Sequence, residues 1–453
     1  MHPCLWAYDS SWEYQVYVVC IQLAHDDVCI QVLRIIWINK EVGIFLFHRP
    51  LSQKKNEALH SSVRYSNTGI PTSFQFSPPL TMKLLVVGGG TGSLAAITNL
   101  RKLDKDVEIT MVEPKDFFEI IWAAYRAPFE DWVADGSLFT LQNFCEKNNV
   151  NHIRDVVTKL DLKVATLKGG DVIGFDLCLV AIGADSEWAP LGRGLPDNDG
   201  SLAGRRQSMK EAGQKLIQAE SVLVVGGGLI GCELAGDIAY YSKQAGTPTL
   251  VTIVHSGEHL VPEYTKHPAD MVQKKLEDLG IKIILNEKAL QKDGKMVLQS
   301  TGEVIDAQEV VKTVGVLPIN DCLKNGGLGS SLDEKGFIKT DAFLRVEGTS
   351  GKIFAIGDCC THLPNAAAQI FGAAPTLARN LKVTLDALAE HRLLTAEPKL
   401  KEMTPVSPAP YMCTTGPKAG VLYIPGVFYT QYMLPWLKNS TMFFFKATSE
   451  LGL

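Results

Sequence analysis

An apolar strand that runs into a glycine-rich turn and then a helix occurs twice in this chain, about 138 residues apart, as KLLVVGGGTGSLAAITNL (83–100) and SVLVVGGGLIGCELAGDIA (221–239). That order of elements predicts parallel α/β units able to hold a dinucleotide. In the first copy Gly88 bends the chain tightly and Gly90 lets the backbone approach a pyrophosphate, which then sits on the N–H groups of the helix N-terminus. Thr91 and Gly92 complete the turn, and Ser93 takes the third small position, usually glycine or alanine. A second strand, DVEITMVEP, ends at Glu113, where a carboxylate accepts hydrogen bonds from a ribose diol.

The second copy has the full pattern at Gly226, Gly228 and Gly231, with Leu229 and Ile230 between them. Its next strand, TLVTIVHSG, ends at His255, where an NAD-selective site carries Asp or Glu. Without that carboxylate a 2′-phosphate is not repelled, yet no arginine stands there to grip one, so NADH and NADPH both stay open. FDLCLVAIGADSEWAP (175–190) and VVKTVGVLPINDCL (310–323) are strands closing on Gly183 and Gly315, glycines that mark crossings between domains. KIFAIGDCC (352–360) puts Gly357 and Asp358 at the end of a buried strand, where a carboxylate can meet a ribityl hydroxyl. Two dinucleotide sites in series suit hydride transfer from a nicotinamide to a flavin.

With 453 residues, 46% of them apolar, the chain is long enough for about three domains. Its 44 Lys and Arg against 49 Asp and Glu give a formal charge of -5, so nucleic acid is not an expected partner. Ten scattered cysteines without CxxC predict an intracellular, reduced chain, the adjacent Cys359 and Cys360 being structural thiols. No HExxH or histidine cluster points to a metal. Residues 1–81 differ in character: charges break every apolar run, and Met82 opens a natural first strand. They are expected to form an extension outside the folded enzyme, with a targeting role as the alternative. TAEPKLKEMTPVSPAPY (395–411) reads as a proline-rich connector.

From Met82 to about residue 395 the chain resembles the FAD-dependent pyridine nucleotide oxidoreductases. The resemblance implies an α/β fold of glutathione-reductase-like architecture: two Rossmann-like dinucleotide-binding domains and a small C-terminal α+β segment. The FAD domain would span 82–190 and 320–395, the NAD(P)H domain 191–319 and the terminal segment 396–453. Carried over by motif, FAD would meet Gly88, Gly90, Thr91, Gly92, Ser93, Glu113, Lys115, Arg126, Val157, Gly183, Gly357 and Asp358. NADH or NADPH would meet Gly226, Gly228, Leu229, Ile230, Gly231, His255 and Gly315, and Glu233 would lie near nicotinamide and flavin to orient the cofactor or relay protons. The chain departs from the family at Ser93, and at Ile182 and Val314 in its ATG-like motifs.

No CxxxxC follows the first strand unit, and the second unit offers only Cys232, so a dithiol relay is not expected. EPKDFFEIIWAAYRA (113–127), PNAAAQIFGAAPTLARNL (364–381) and the aromatic 426–450 resemble the apoptosis-inducing factor homologues of the ferroptosis suppressor type. The AQxAxQ motif of type II NADH:quinone oxidoreductases is half present, as Ala368-Gln369. This implies a quinone-type acceptor, for which Tyr429, Tyr432, Trp436 and Phe443 to Phe445 would form an apolar slot. It also implies a monomer or homodimer in the cytoplasm, peripheral to a membrane or organelle. Myristoylation is not expected, since neither His2 nor Lys83 is the glycine it needs. The alternatives are a slowly turning over, redox-responsive signalling flavoprotein and a reductase of a protein such as ferredoxin.

Overall fold

The computed structural model describes residues 33–38, 41–46, 81–186, 199–363, 367–390, 398–407, 409–432 and 438–453. The chain divides into two compact units, Met1–Phe76 and Ser77–Leu453. In the first, strand Leu33–Ile38 pairs antiparallel with Glu41–Leu46, Leu33 opposite Leu46 and Ile38 opposite Glu41. The expectation about a targeting segment otherwise lies outside the described residues. Among the described residues no helix is long and apolar enough to cross a membrane.

The larger unit is α/β. Strand β1 (Lys83–Val87) turns through the first glycine run into helix α1 (Thr91–Leu103), which leads to strand β2 (Glu108–Val112). β1 is central in a five-stranded parallel sheet ordered 353–355, 177–180, β1, β2, 150–153. Leu84 to Val87 are buried on both faces, which is why the strand reads as an unbroken apolar run. Each such side chain contributes about 1.5–3 kcal/mol through burial. The strand at 353–355 enters this sheet from far along the chain, so its first half and its glycine-aspartate turn belong to one layer.

Strand β3 (Ser221–Val225), helix α2 (Leu229–Gln244) and strand β4 (Leu250–Val254) repeat the arrangement in a four-stranded parallel sheet ordered 282–284, β4, β3, 309–312. Ala184 and Asp185 pair antiparallel with Pro318 and Leu317, so the crossings after Gly183 and Gly315 run side by side. Both glycines have φ near +70°, where a side chain is strained (Gly183 +71°, Gly315 +72°).

After residue 398 the chain has little regular structure until strand β5 (Tyr411–Thr414), but it is not loose. Gln369 pairs with both the N–H and the carbonyl of Val406, and Asn380 does the same for Lys401, so two side-chain amides from helix Ala367–Ala389 pin the connector. β5 begins a three-stranded antiparallel sheet with 420–424 and 428–430. The chain closes in helix α3 (Phe444–Leu451), which packs on α1, Thr98 donating to the Leu451 carbonyl.

Candidate functional site

The two glycine turns are built alike. The N–H of Gly88 donates to Val112 and that of Gly226 to Val254, each tying its turn to the second strand of its unit. A Cβ at Gly88 would stand 2.7 Å from the Ala181 carbonyl oxygen, and one at Gly226 2.7 Å from Val314, so both bends require glycine for close packing. Gly92 likewise leaves room for Ile356. A Cβ on Gly231 would run into the Gly226 carbonyl oxygen. At the matching position of the first turn Ser93 points its hydroxyl at the Gly88 carbonyl and donates to it, so the departure from the family pattern is absorbed by one hydrogen bond.

Gly90 and Gly228 are different. Their φ angles, −86° and −75°, suit any residue. A Cβ at Gly228 would meet nothing within 4 Å, and one at Gly90 only the Ala181 oxygen at 3.7 Å. Nothing in the chain's own packing asks for glycine there, whereas a phosphate lying against the backbone does. The residues present therefore fit a dinucleotide at both turns.

Glu113 and His255 occupy equivalent places. The Gly89 N–H donates to Glu113 Oε2 at 2.7 Å, and the Gly227 N–H to His255 Nδ1 at 3.1 Å. An imidazole thus replaces the carboxylate as the prop of the second turn, and Nδ1 must be unprotonated to accept. Burial lowers the His255 pKa further, with His259 adding to it and Glu263 opposing, so the ring is neutral at neutral pH. Lys115 stands 3.7 Å from Glu113 Oε1, its own N–H also bonding that oxygen. Thr91 and Leu229 open their helices, and Ile230 is exposed on the rim of the second turn. Val157 is buried in the same apolar cluster as Val112, while Gly357 (φ +92°) and Asp358 follow strand 353–355.

Arg126 is held by the chain's own side chains. It is fully enclosed, its Nε and Nη2 donating to Asp237 at 2.9 and 3.0 Å and its Nη1 to Asn439 Oδ1 at 2.6 Å. An alignment of short motifs has no access to the partner 111 residues away that consumes this guanidinium. Asp237 raises the Arg126 pKa, while burial lifts Asp237 to about 6 despite Arg126. The guanidinium keeps its proton and both bonds are charge-assisted, so the pair is ionised at neutral pH. A second enclosed pair, Arg205 with Glu119, binds helix Leu202–Gln218 to the segment preceding Arg126.

Glu233, just past the first turn of α2, lies in the same network. Its Oε1 accepts from the Thr414 N–H at 2.9 Å, the Thr414 hydroxyl at 3.0 Å and Lys438 Nζ at 2.6 Å. A carboxylate cannot donate, so the Thr414 proton points to Glu233 and the Tyr125 hydroxyl, 3.0 Å from Thr414 Oγ1, donates into Thr414. Burial, then the charge of Glu233, holds the Tyr125 pKa well above its ordinary value and keeps that donor protonated. Lys438 Nζ also lies 5.0 Å from the centre of the Tyr125 ring.

Lys438, Asn439 and Thr414 were not anticipated from sequence. A lone lysine inside the aromatic stretch 426–445 was the available signal, since an unpaired charge among apolar residues calls for a buried partner. Cys413 was missed too: its thiol, which donates to the Thr414 carbonyl, is close enough to Cys232 to feel it electrostatically, although spacing in the sequence leaves Cys232 alone. Both are free, fully buried thiols, and burial pushes the Cys413 pKa well up, so that environment does not generate a thiolate. Cys232→Ser is accordingly expected to leave turnover within about 2-fold of wild type; a loss beyond 100-fold in steady-state assays would restore a thiol relay. The aromatic slot does not assemble as expected. Tyr429 lies against His267, Phe444 covers Gly136 beside Trp132, Tyr432 is exposed, and Trp436 is outside the described residues. Gln369, half of the quinone-site motif, is held by Val406.

Residues 82–374 match the profile of the family described as pyridine nucleotide-disulphide oxidoreductase. The chain is 25% identical over 391 residues to "Apoptosis-inducing factor homolog B" of Dictyostelium discoideum, covering 82% of this chain and 97% of that protein. It is 26% identical over 291 residues to "Ferroptosis suppressor protein 1" of Mus musculus, 61% of this chain and 73% of the relative. Among solved structures it is similar in fold to the sulfide:quinone oxidoreductase of Aquifex aeolicus, with a TM-score of 0.65 at 16% identity over 82% of this chain and 92% of the other.

Proposed function

The chain belongs to the pyridine nucleotide-disulphide oxidoreductase family, and on that premise we propose that it is an FAD-dependent NAD(P)H:quinone-type reductase working without a redox-active disulfide. The observation that carries this reading is the enclosed Glu233–Lys438 pair where α2, the segment around Arg126 and the C-terminal sheet converge. Reducing a quinone takes two electrons and two protons, so a reductase of this kind needs a proton held at its redox centre. FAD, when bound, would supply the two-electron exchange between nicotinamide and acceptor.

The protein's own groups do the rest. Gly88, Gly90 and α1 would hold the FAD pyrophosphate, with Glu113 at its ribose and Asp358 at the ribityl chain. Gly226, Gly228 and α2 would hold NADH or NADPH. Glu233 Oε1 would hold the Lys438 ammonium at 2.6 Å; a proton given from Nζ to the acceptor leaves a neutral amine beside the carboxylate, and Nζ takes a proton back from solvent before the next turnover. The enclosed Arg126–Asp237 and Arg205–Glu119 pairs keep the two nucleotide-binding units in fixed register around this point.

The test is anaerobic reduction of the purified protein by NADH and by NADPH, followed through the flavin's visible absorbance, then addition of a short-chain ubiquinone analogue. Bleaching and rapid reoxidation are expected. A reduced protein that the quinone fails to reoxidise would overturn the acceptor and favour the signalling flavoprotein.

A further inference from the structure

We propose that His255 makes nicotinamide nucleotide binding proton-sensitive: a second proton on its ring removes the acceptor for the Gly227 N–H, the second glycine turn loses its prop, and NADH and NADPH bind more weakly while FAD stays in place. This deepens the reading above and rests on the second turn holding NAD(P)H. The Gly227 N–H donates to His255 Nδ1 at 3.1 Å, so the one proton of the neutral ring sits on Nε2. An added proton therefore goes to Nδ1. An imidazolium has two donors and no acceptor, and its Nδ1–H would face the Gly227 N–H.

The half-buried ring has little room to turn aside. A Cβ at Gly227 would stand 2.9 Å from His255 Cγ, and one at Gly257 2.7 Å from Nε2, so the imidazole fits closely against two glycines. Its backbone is fixed as well, the N–H donating to Ile284 and the carbonyl accepting from Glu287. The conflict passes to Gly227, in the middle of the run that would cradle the pyrophosphate. The Val261 N–H holds the Gly227 carbonyl at 2.7 Å, so a protonated ring leaves that residue gripped at one end only. The first turn lacks this sensitivity: Glu113 Oε2 accepts from Gly89 in the same place, and a carboxyl group keeps an acceptor oxygen in either protonation state.

The groups facing the ring set the direction. Burial and then His259 lower its pKa, and Glu263 opposes them. Glu258 on the same loop is exposed, and the Glu287 carboxylate is taken up by Ser300 and the Lys288 N–H. The ring is neutral at neutral pH, so binding is complete there and is lost as pH falls through the ring's titration.

The test is calorimetric titration of the FAD-bearing protein with NAD⁺, which has no titrating 2′-phosphate, from about pH 7.5 down to about pH 5. A ring titrating at the ordinary value of about 6.5 would weaken binding about 30-fold over that range, and a lower value gives less, so a loss of about 3- to 30-fold is expected with the flavin spectrum unchanged. His255→Asn offers an acceptor oxygen and has no proton to gain, so its affinity should stay level across the range. His255→Glu copies the first turn, should behave likewise, and decides the matter if the asparagine variant does not fold. Level affinity in wild type that keeps its fold and its FAD would overturn the proposal. So would a loss that His255→Asn shows in equal measure, which would assign the sensitivity to His259 or Glu263. A wild type that binds no NAD⁺ even at neutral pH overturns the reading of the second turn itself, an outcome distinct from binding that ignores pH.

Discussion

Replacing Glu233 by glutamine is expected to slow quinone-dependent turnover by about 10²–10⁴-fold, the range lost when a positioned proton-transfer group is removed, while FAD remains bound. The substitution keeps the side chain's length and its carbonyl oxygen, so the Thr414 N–H retains an acceptor. What disappears is the negative charge against which Lys438 holds and releases its proton. Lys438→Met should fall in the same range for the complementary reason, and the double variant should be little worse than either single one. Stopped-flow absorbance separates the half-reactions, and the loss should appear in reoxidation. Turnover within 3-fold of wild type in a folded, flavin-bearing Glu233→Gln would remove the pair from the mechanism.

The second large effect concerns the two glycines that the chain's own packing does not require. Gly228→Val should fold, since its φ is ordinary and a Cβ there meets nothing, yet weaken nicotinamide nucleotide binding by at least about 100-fold. Gly90→Val should fold and fail to retain FAD, emerging colourless. The cost to stability is that of a poorer helix cap, about 1 kcal/mol. Gly231→Val is the contrast, because its side chain would collide with the Gly226 carbonyl and disturb the turn itself. Calorimetric titration with NAD⁺ and NADP⁺ reads the first and the absorbance spectrum the second. A Gly228→Val protein that binds NAD⁺ normally would show that the second turn holds no pyrophosphate.

The parts legible in sequence are those whose chemistry is local. A glycine run between strand and helix is dictated by the backbone within a few residues, and Glu113 by the length of one helix and one strand. His255 was legible as a missing acid, but not as the acceptor that props Gly227, because only the folded turn brings them to 3.1 Å. Arg126 shows the opposite limit. Its motif was clear and its partner was not, since Asp237 and Asn439 come from an intervening helix and from the chain's end. Cys413 and Cys232 were separated by the same distance in sequence as Thr414 and Glu233, and no spacing rule spans it. The aromatic terminus is legible only through composition and a resemblance, and neither can say that Phe444 faces Trp132 while Tyr429 faces His267.

The convergence of residues 125–126, 233–237, 412–414 and 438–439 also bears on how the protein is made. Both parallel sheets, down to the strand at 353–355, can form while the last hundred residues are still being translated, because domains fold as they emerge. Until that last stretch arrives, Arg126 and Asp237 have each other, but Glu233 lacks its lysine and Thr414. A chain cut short by premature termination or by proteolysis near residue 437 would present both nucleotide-binding turns with no Lys438 beside Glu233. On the proposed mechanism such a product keeps both glycine turns and lacks the residue that holds the proton.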